Sequence, residues 1–184
     1  MSGDTIAVIN QLLVTETLPA LGPGPRPGVL NEKELKAKLD DAASKSNLAS
    51  GRRELVHALL LLWHDHLDAS HTISQSIENQ DGSFVHAIMH RREPDYWNAK
   101  YWWRRVGAHP AFPAISRRVK ELLSDSRRGD QPELAKRLLP GGQWDACAFV
   151  DACEAAMGDS EYESLLQEIQ RIETEVLLEY LLAR

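Results

Sequence analysis

The sequence predicts an all-α protein, a helical bundle with short accessory helices in one domain over residues 1–184. Apolar residues recur along the chain at the spacing of amphipathic helices, and no segment shows the strict alternation of a half-buried strand. Prolines and glycines separate these periodic segments at short intervals. A chain of 184 residues that is 43% hydrophobic and 26% charged can bury a substantial core as a soluble globular domain.

The N-terminal part, residues 1–30, is predicted to be a helix followed by a stiff connector. An amphipathic helix covers Asp4–Leu18 and ends before a proline, and the connector 21–28 reads LGPGPRPG. Asn31 then caps a second helix, and Glu34 three residues later completes the pattern of a capping box.

The central part is predicted to contain one long helix, Ser50–Glu78, with an apolar stripe. A break follows at Asp81-Gly82, and a shorter helix, Ser83–Glu93, ends because the next residue is a proline. Since the connection is short, we expect the two helices to form an antiparallel hairpin.

Asp95 is placed to cap the next predicted helix, Tyr96–Val106, which a glycine terminates. Four further helices are predicted after it, Pro113–Ser124, Pro132–Leu139, Asp145–Met157 and Glu161 to the C-terminus.

Residues 64–109 concentrate the distinctive chemistry of the chain. They hold six of the seven histidines and three of the five tryptophans. Surface helices are usually built from Lys and Glu instead, because these charged residues favour exposure. We therefore predict a functional site on the hairpin and helix of residues 50–110.

The histidines fall into a pattern that suits a metal ion. On a helical wheel, four polar residues lie together beside the apolar stripe of the central helix: His64, Asp68, His71 and Gln75. His86 and His90 are four residues apart and share one side of the next helix. In a hairpin, His71, His86 and His90 with the carboxylate of Asp68 would suit Zn²⁺, Fe²⁺ or Ni²⁺.

Three interpretations of this pattern stay open. The histidines either bind a divalent metal, line a polar pocket without metal, or form hydrogen bonds of purely structural value. Asp68 is either a metal ligand or a partner that fixes a histidine tautomer. His66 falls within the apolar stripe and is predicted to be a core or interface residue.

The helix Tyr96–Val106 interleaves aromatic side chains with Arg and Lys, which suits planar, polar or anionic small molecules through stacking and bidentate hydrogen bonds. With His64 and Gln75, the predicted ligand contacts are Arg92, Glu93, Asn98, Lys100, Tyr101 and Arg104. In the alternative interpretation, Trp102 and Trp103 are core residues and the arginines pair with acidic residues of the C-terminal helix.

Charge is unevenly distributed along the chain, whose net charge is −6. Residues 83–120 carry eight Lys and Arg against two acids, whereas residues 145–184 carry ten acids against two arginines. Either the acidic helix packs on the basic region, or the basic region faces an anionic ligand. An acidic chain without a basic stripe argues against nucleic acid as a partner.

No apolar run is long enough to span a bilayer, and the first residues lack the pattern of a signal peptide. The two cysteines, Cys147 and Cys153, are predicted to lie on poorly matched sides of one helix, so we expect no disulfide between them. A cytoplasmic location is the simplest expectation.

The run GSFVHAIMHRREPDYWNAKYWWRRVGAHP, Gly82 to Pro110, resembles the signature of a family of uncharacterised proteins from fungi and bacteria, as does LWHDHLDASH, Leu62 to His71. The chain is also loosely similar to small helical-bundle metalloenzymes of the DinB type. That similarity implies metal binding by three histidines on separate helices. In the DinB type the first histidine lies far upstream of the other two, whereas here His71 and His86 are one hairpin apart.

These observations predict a small-molecule-binding protein with a His-lined, Arg/Trp-walled pocket for a polar or anionic ligand, with or without a divalent metal. The alternative is a non-catalytic module in which the same residues form the interface of a homo-oligomer. No motif fixes a reaction, so the sequence leaves open whether the protein is an enzyme.

Overall fold

The computed structural model describes residues 3–45, 48–125, 131–156 and 160–183, and over these residues the chain forms α-helices, one 3₁₀ turn and no strand. The all-α prediction is confirmed. The helices are α1 (Gly3–Gln11), α2 (Glu32–Ser44), α3 (Ser50–Trp63), α4 (Leu67–Ser74), α5 (Gln80–Arg92), α6 (Tyr96–Val106), α7 (Phe112–Leu123), α8 (Pro132–Leu138), α9 (Ala146–Ala155) and α10 (Ser160–Ala183), with the 3₁₀ turn at Pro140–Gly142.

Helices α3 and α5 form the centre of the bundle. From Leu55 to Trp63 every residue of α3 except His57 is buried, and α5 is buried from Gly82 to Arg92. Helices α2, α4 and α10 pack on α3, while α4 and α6 pack on α5. Because α5 is enclosed by its neighbours, its polar side chains must find partners inside the protein.

The prediction of one helix over Ser50–Glu78 is wrong, since α3 and α4 are separate helices. Between them Asp65 adopts a φ of 67°, in the left-handed region that non-glycine residues rarely enter. Its side chain is only 2% exposed and forms ion pairs with Arg26 and Arg92, both at 2.7 Å. The left-handed backbone of Asp65 ends α3, and the turn directs this carboxylate inward.

The predicted N-terminal helix is also too long, because α1 ends at Gln11 rather than at Leu18. The carbonyl of Leu12 hydrogen-bonds Nε2 of His64 at 2.8 Å. This contact holds the segment that follows α1 against the end of α3. A helix that continued to Leu18 could not make this contact.

The break before α5 lies at residues 75–79 and not at Asp81-Gly82. Asn79 caps α5 by accepting a hydrogen bond from the backbone of Gly82 at 2.8 Å. A Cβ atom at Gly82 would lie 2.1 Å from the carbonyl oxygen of Ile77, so the close approach of the connection to the first turn of α5 requires glycine.

Several local predictions are confirmed. Asn31 and Glu34 form the capping box of α2, and α6 has the predicted bounds with Asp95 as its cap. Cys147 and Cys153 are free thiols, and burial raises the pKa of Cys153 to about 12. No helix among the described residues is both long and apolar enough to cross a membrane.

The acidic C-terminal helix α10 packs against the basic region, as one of the two charge interpretations predicts. Arg91 on α5 forms a fully buried ion pair with Glu173 at 2.7 Å. Arg118 on α7 pairs with Glu179 at 2.6 Å. Part of the positive charge of residues 83–120 is therefore neutralised within the protein.

Candidate metal site

Three histidines from two adjacent helices converge at one point, and we refer to His71, His86 and His90 as the histidine cluster. One ring nitrogen of each lies within 4.8 Å of the corresponding atoms of the other two. The Nε2 atoms of His86 and His90 are 3.0 Å apart. The centroid of the His71 ring on α4 lies 4.7 Å from the ring centroid of His86 and 5.2 Å from that of His90.

The spacing on α5 and the packing of α4 on α5 produce this convergence. Four residues make just over one helical turn, so His86 and His90 point the same way and their rings stack with an interplanar angle of 20°. The short connection at residues 75–79 folds α4 back onto α5, which places His71 against both rings.

The environment of His90 sets which of its nitrogens can bind a ligand. Its Nδ1 lies 3.1 Å from Oε2 of Glu93 and 3.9 Å from Oδ2 of Asp95. A carboxylate only accepts, so Nδ1 carries the proton and donates it to Glu93, and in the neutral ring Nε2 keeps its lone pair. Carboxylates hold metal-binding histidines in the same way. The side-chain amide of Asn98 on α6 lies 3.0 Å from this Nε2.

His86 is enclosed by aromatic packing. Trp102 of α6 stacks on its ring at 4.0 Å with an interplanar angle of 26°. Its Nδ1 is buried and has no hydrogen-bond partner among the described residues. Burial lowers the pKa of His86 to about 3, with His90 and His71 adding to the effect.

His90 is shifted in the same direction. Burial lowers its pKa, although Glu93 opposes the shift. Both rings are therefore neutral at physiological pH, and neutral imidazole is the form that binds metals.

The donor set fits a first-row transition metal better than Ca²⁺ or Mg²⁺, which prefer oxygen ligands. Nitrogens about 2.0–2.1 Å from a tetrahedral ion lie about 3.3 Å from one another. The Nε2 atoms of His86 and His90, which are 3.0 Å apart at hydrogen-bond distance, already have a separation of this scale, and one nitrogen of each of the three histidines lies within 4.8 Å of the others. Three protein ligands leave a position open for a further molecule, as in catalytic zinc sites.

Asp68, predicted as the fourth ligand, is not part of the cluster. It is exposed on α4 and lines a groove of about 380 Å³ with Glu93, Glu32 and His66. Exposed carboxylates dominate this groove, so its walls attract cations more than the anions that the composition suggests.

Two other residues of the predicted polar stripe also lie elsewhere. His64 is buried, and its two ring nitrogens contact the backbone N–H of Leu30 at 3.1 Å and the carbonyl of Leu12 at 2.8 Å. Gln75 is exposed at the C-terminal end of α4. The break between α3 and α4 changes the register of the stripe, which is why the wheel misplaces these side chains.

The residues of the predicted basic wall have different structural roles. Arg92 is 1% exposed, and its guanidinium contacts Asp65 and the carbonyls of Leu62, Ala20 and Gly22. It therefore joins the connector to α5 and does not face a ligand.

The other predicted contacts on α6 lie at or near the surface. Lys100 forms an ion pair with Asp151 of α9, and Arg104 is exposed. Tyr101 is 41% exposed and contacts Trp102 edge-on at 5.5 Å. Among the predicted ligand contacts, only Glu93 and Asn98 hydrogen-bond to the histidine cluster.

Sequence reasoning left open whether Trp102 is a core residue or part of the pocket wall, and it did not predict the contact of Trp102 with His86. The relevant signal was that Asn98 and Trp102 are four residues apart and share a face of α6. Arg105, one turn further along, lies over the Trp102 ring at 5.1 Å. The inward position of Asp65 was also missed, because its arginine partners are 27 and 39 residues away.

Comparisons of the chain with protein-family models, with curated proteins and with solved structures find no significant match. The family resemblance stays a prediction, and the function has to be argued from the geometry of the histidine cluster.

Proposed function

We propose that the protein binds one divalent transition metal ion, Zn²⁺, Fe²⁺ or Ni²⁺, through His71, His86 and His90, and uses it to hold a small polar or anionic molecule. The observation that carries the proposal is the convergence of one ring nitrogen from each histidine within 4.8 Å. A purely structural cluster does not account for the buried ring nitrogen of His86, Nδ1, which has no hydrogen-bond partner among the described residues, because an unpaired polar atom is costly in the protein interior.

Charge supports a role for the metal in ligand binding. Three neutral imidazoles leave the full positive charge of a divalent ion uncompensated, so the ion itself would attract an anion or a polar oxygen. A metal in such a site supplies Lewis acidity and lowers the pKa of a bound water. Glu93, which contacts His90, also lines the acidic groove, and this favours a neutral or small ligand over one with several negative charges.

The neighbouring side chains would position the ligand rings. Glu93 fixes the tautomer of His90 by accepting a hydrogen bond from its Nδ1–H. The side-chain amide of Asn98 lies 3.0 Å from Nε2 of the same ring, so it would release this nitrogen when a metal binds. Trp102 covers His86 and shields it from water. Partners of this kind raise metal affinity about ten- to a hundredfold in known sites.

Metal analysis and calorimetry of the purified full chain test the proposal. We expect one equivalent of Zn²⁺, Fe²⁺ or Ni²⁺ per chain, and stabilisation by about 2.7 kcal/mol when the free ion is at a hundred times its dissociation constant. His86→Gln should weaken binding by more than about a hundredfold, because loss of a ligand costs more than loss of its partner.

His57→Gln is the matched control, since His57 is a half-buried histidine of α3 outside the cluster. It should retain the full stoichiometry and affinity. Absence of bound metal, together with an unchanged melting temperature on addition of each of the three ions, would refute metal binding.

The alternative function, an oligomerisation module, has one observation in its favour. Trp97 is 75% exposed and Tyr101 is 41% exposed, and their nearly parallel rings lie 6.4 Å apart on α6. Paired exposed aromatics are enriched at protein interfaces. Light scattering distinguishes the functions, because this alternative requires an oligomer that Trp97→Ser dissociates, while metal binding would be unaffected.

A further inference from the structure

A second cavity lies away from the histidine cluster, beside the first turns of α7. It has a volume of about 680 Å³, within the range of small-molecule sites. Its walls come from the loop after α6, from α7 and from the segment that follows the 3₁₀ turn. It shares no lining residue with the histidine cluster.

The inner wall is largely apolar and aromatic. Phe112 and Trp144 face the cavity with Ala108 and Pro113. Trp144 is 5% exposed, so its ring is held firmly by the protein. Gly142 at the edge adopts a φ of 81° and has open space where a side chain would be, which keeps this side of the cavity clear. These surfaces suit an apolar or aromatic body.

The polar lining is positive. Arg117 and Lys120 lie three residues apart on α7, and neither forms an ion pair with another described residue. Their neighbour Arg118, in contrast, pairs with Glu175 and Glu179 of α10. No described residue that lines the cavity is acidic.

His109 completes the wall without adding a free charge. Its Nδ1 accepts a hydrogen bond from the backbone of Ala111 at 3.1 Å, and its Nε2 contacts Asp81 at 2.8 Å. Asp81 is the carboxylate that contacts this lining histidine, and the hydrogen bond to His109 occupies one of its oxygens. Among the residues that line the cavity, the positive charge therefore comes from Arg117 and Lys120.

We propose that this cavity binds an amphipathic small-molecule anion, a carboxylate or phosphate group on an apolar aromatic body. The anionic group lies between Arg117 and Lys120, and the body stacks against Trp144 and Phe112. Charge complementarity and the aromatic walls together favour such a molecule over a neutral sugar or a peptide. The site is independent of metal binding at the histidine cluster.

Calorimetric titration of the full chain with naphthalene-2-carboxylate, in the presence of a chelator, tests the proposal. The neutral naphthalene-2-carboxamide is the matched probe for the charge. We expect the carboxylate to bind at least about tenfold more tightly. The free energy of a hydrogen bond to a charged group is larger than a tenfold difference in affinity requires. The double variant Arg117→Gln/Lys120→Gln should remove this preference and leave carboxamide binding unchanged.

Two further variants make the outcome decisive. Lys33→Gln/Lys38→Gln changes the net charge equally at exposed positions of α2 and should bind the carboxylate like the wild type. Ala108→Trp fills the cavity from an exposed position and should abolish binding of both probes. Thermal unfolding verifies that each variant is folded. The proposal would be overturned by equal affinity of the wild type for the two probes, or by an equal loss of carboxylate affinity in both double variants. Undiminished binding of the probes by Ala108→Trp would also overturn it.

Discussion

At the residue scale, identical side chains have different roles because their partners differ. His71, His86 and His90 face one another, His64 contacts the backbone of Leu12 and Leu30, and His109 pairs with Asp81. Sequence spacing predicts that His86 and His90 share a face, since that depends on helix geometry alone. It cannot predict the position of His64, because that depends on backbone atoms more than 30 residues away.

His64 makes the stability of the fold depend on pH. Its Nδ1 accepts from the N–H of Leu30, so the neutral ring donates from Nε2 to Leu12. Burial lowers the pKa of His64 below the ordinary 6.5, although the bond to Leu12 opposes the shift. As the pH falls below 6.5, His64 therefore takes up a proton more readily in the unfolded chain than in the folded protein. The free energy of unfolding decreases as the pH decreases.

Urea unfolding of the metal-free protein between pH 5 and pH 8 measures this effect. The lowered pKa values of His57, His86 and His90 act in the same direction, so the comparison needs a variant. His64→Gln should be less stable at pH 8 and lose stability less steeply on acidification, by up to about 1.4 kcal/mol per pH unit for one proton. A slope equal to that of the wild type would contradict this assignment.

At the element scale, helix ends that are fixed by nearby residues could be predicted, and ends that are fixed by distant contacts could not. Asp95 and Gly107 define α6 from within a few residues, and its predicted bounds are those observed. The end of α3 depends instead on Asp65, whose carboxylate meets Arg26 of the connector and Arg92 of α5. The helical periodicity of apolar residues continues on both sides of this break and so conceals it.

Asp65→Asn tests whether this carboxylate fixes the break. Burial would raise the pKa of Asp65, but the hydrogen bonds and charges of Arg92 and Arg26 outweigh it and lower the pKa. The carboxylate is therefore ionised, and its loss leaves two guanidiniums without their counter-charge. We expect a loss of about 3–5 kcal/mol in unfolding free energy.

Asp68→Asn is the control, since it removes the same charge from an exposed position of α4. Its cost should stay within about 0.5 kcal/mol, as for most surface substitutions. If Asp65→Asn were as mild as this control, the network around Asp65 would not determine where α3 ends.

At the scale of the whole molecule, the basic region of residues 83–120 and the acidic helix α10 contact each other. The sequence predicted that α10 could pack on the basic region, but it could not choose between the adjacent Arg91 and Arg92. Neighbouring residues on a helix point about 100° apart, so Arg91 meets Glu173 of α10 whereas Arg92 meets Asp65. Each arginine thus joins α5 to a different part of the fold.

The Arg91–Glu173 pair is an incompletely satisfied buried charge, and this determines how it responds to mutation. Both side chains are 0% exposed, and Nε and Nη1 of Arg91 and Oε1 of Glu173 have no hydrogen-bond partner among the described residues. Among the described residues, Oε1 of Gln170 at 3.3 Å and the ring of Phe149 at 4.4 Å also contact this guanidinium. Burial raises the pKa of Glu173, and the charge of Arg91 limits that rise.

A double-mutant cycle separates the cost of breaking this pair from its net value. Arg91→Met or Glu173→Leu alone should destabilise the protein by about 3–5 kcal/mol, because each leaves one buried charge unpaired. The double variant should recover most of that loss, since two apolar side chains of similar volume avoid the desolvation of both ions. Urea unfolding of the four proteins gives the coupling energy. Additive losses would instead mean that each side chain stabilises the bundle independently, and that the contact between α5 and α10 does not depend on pairing of the two charges.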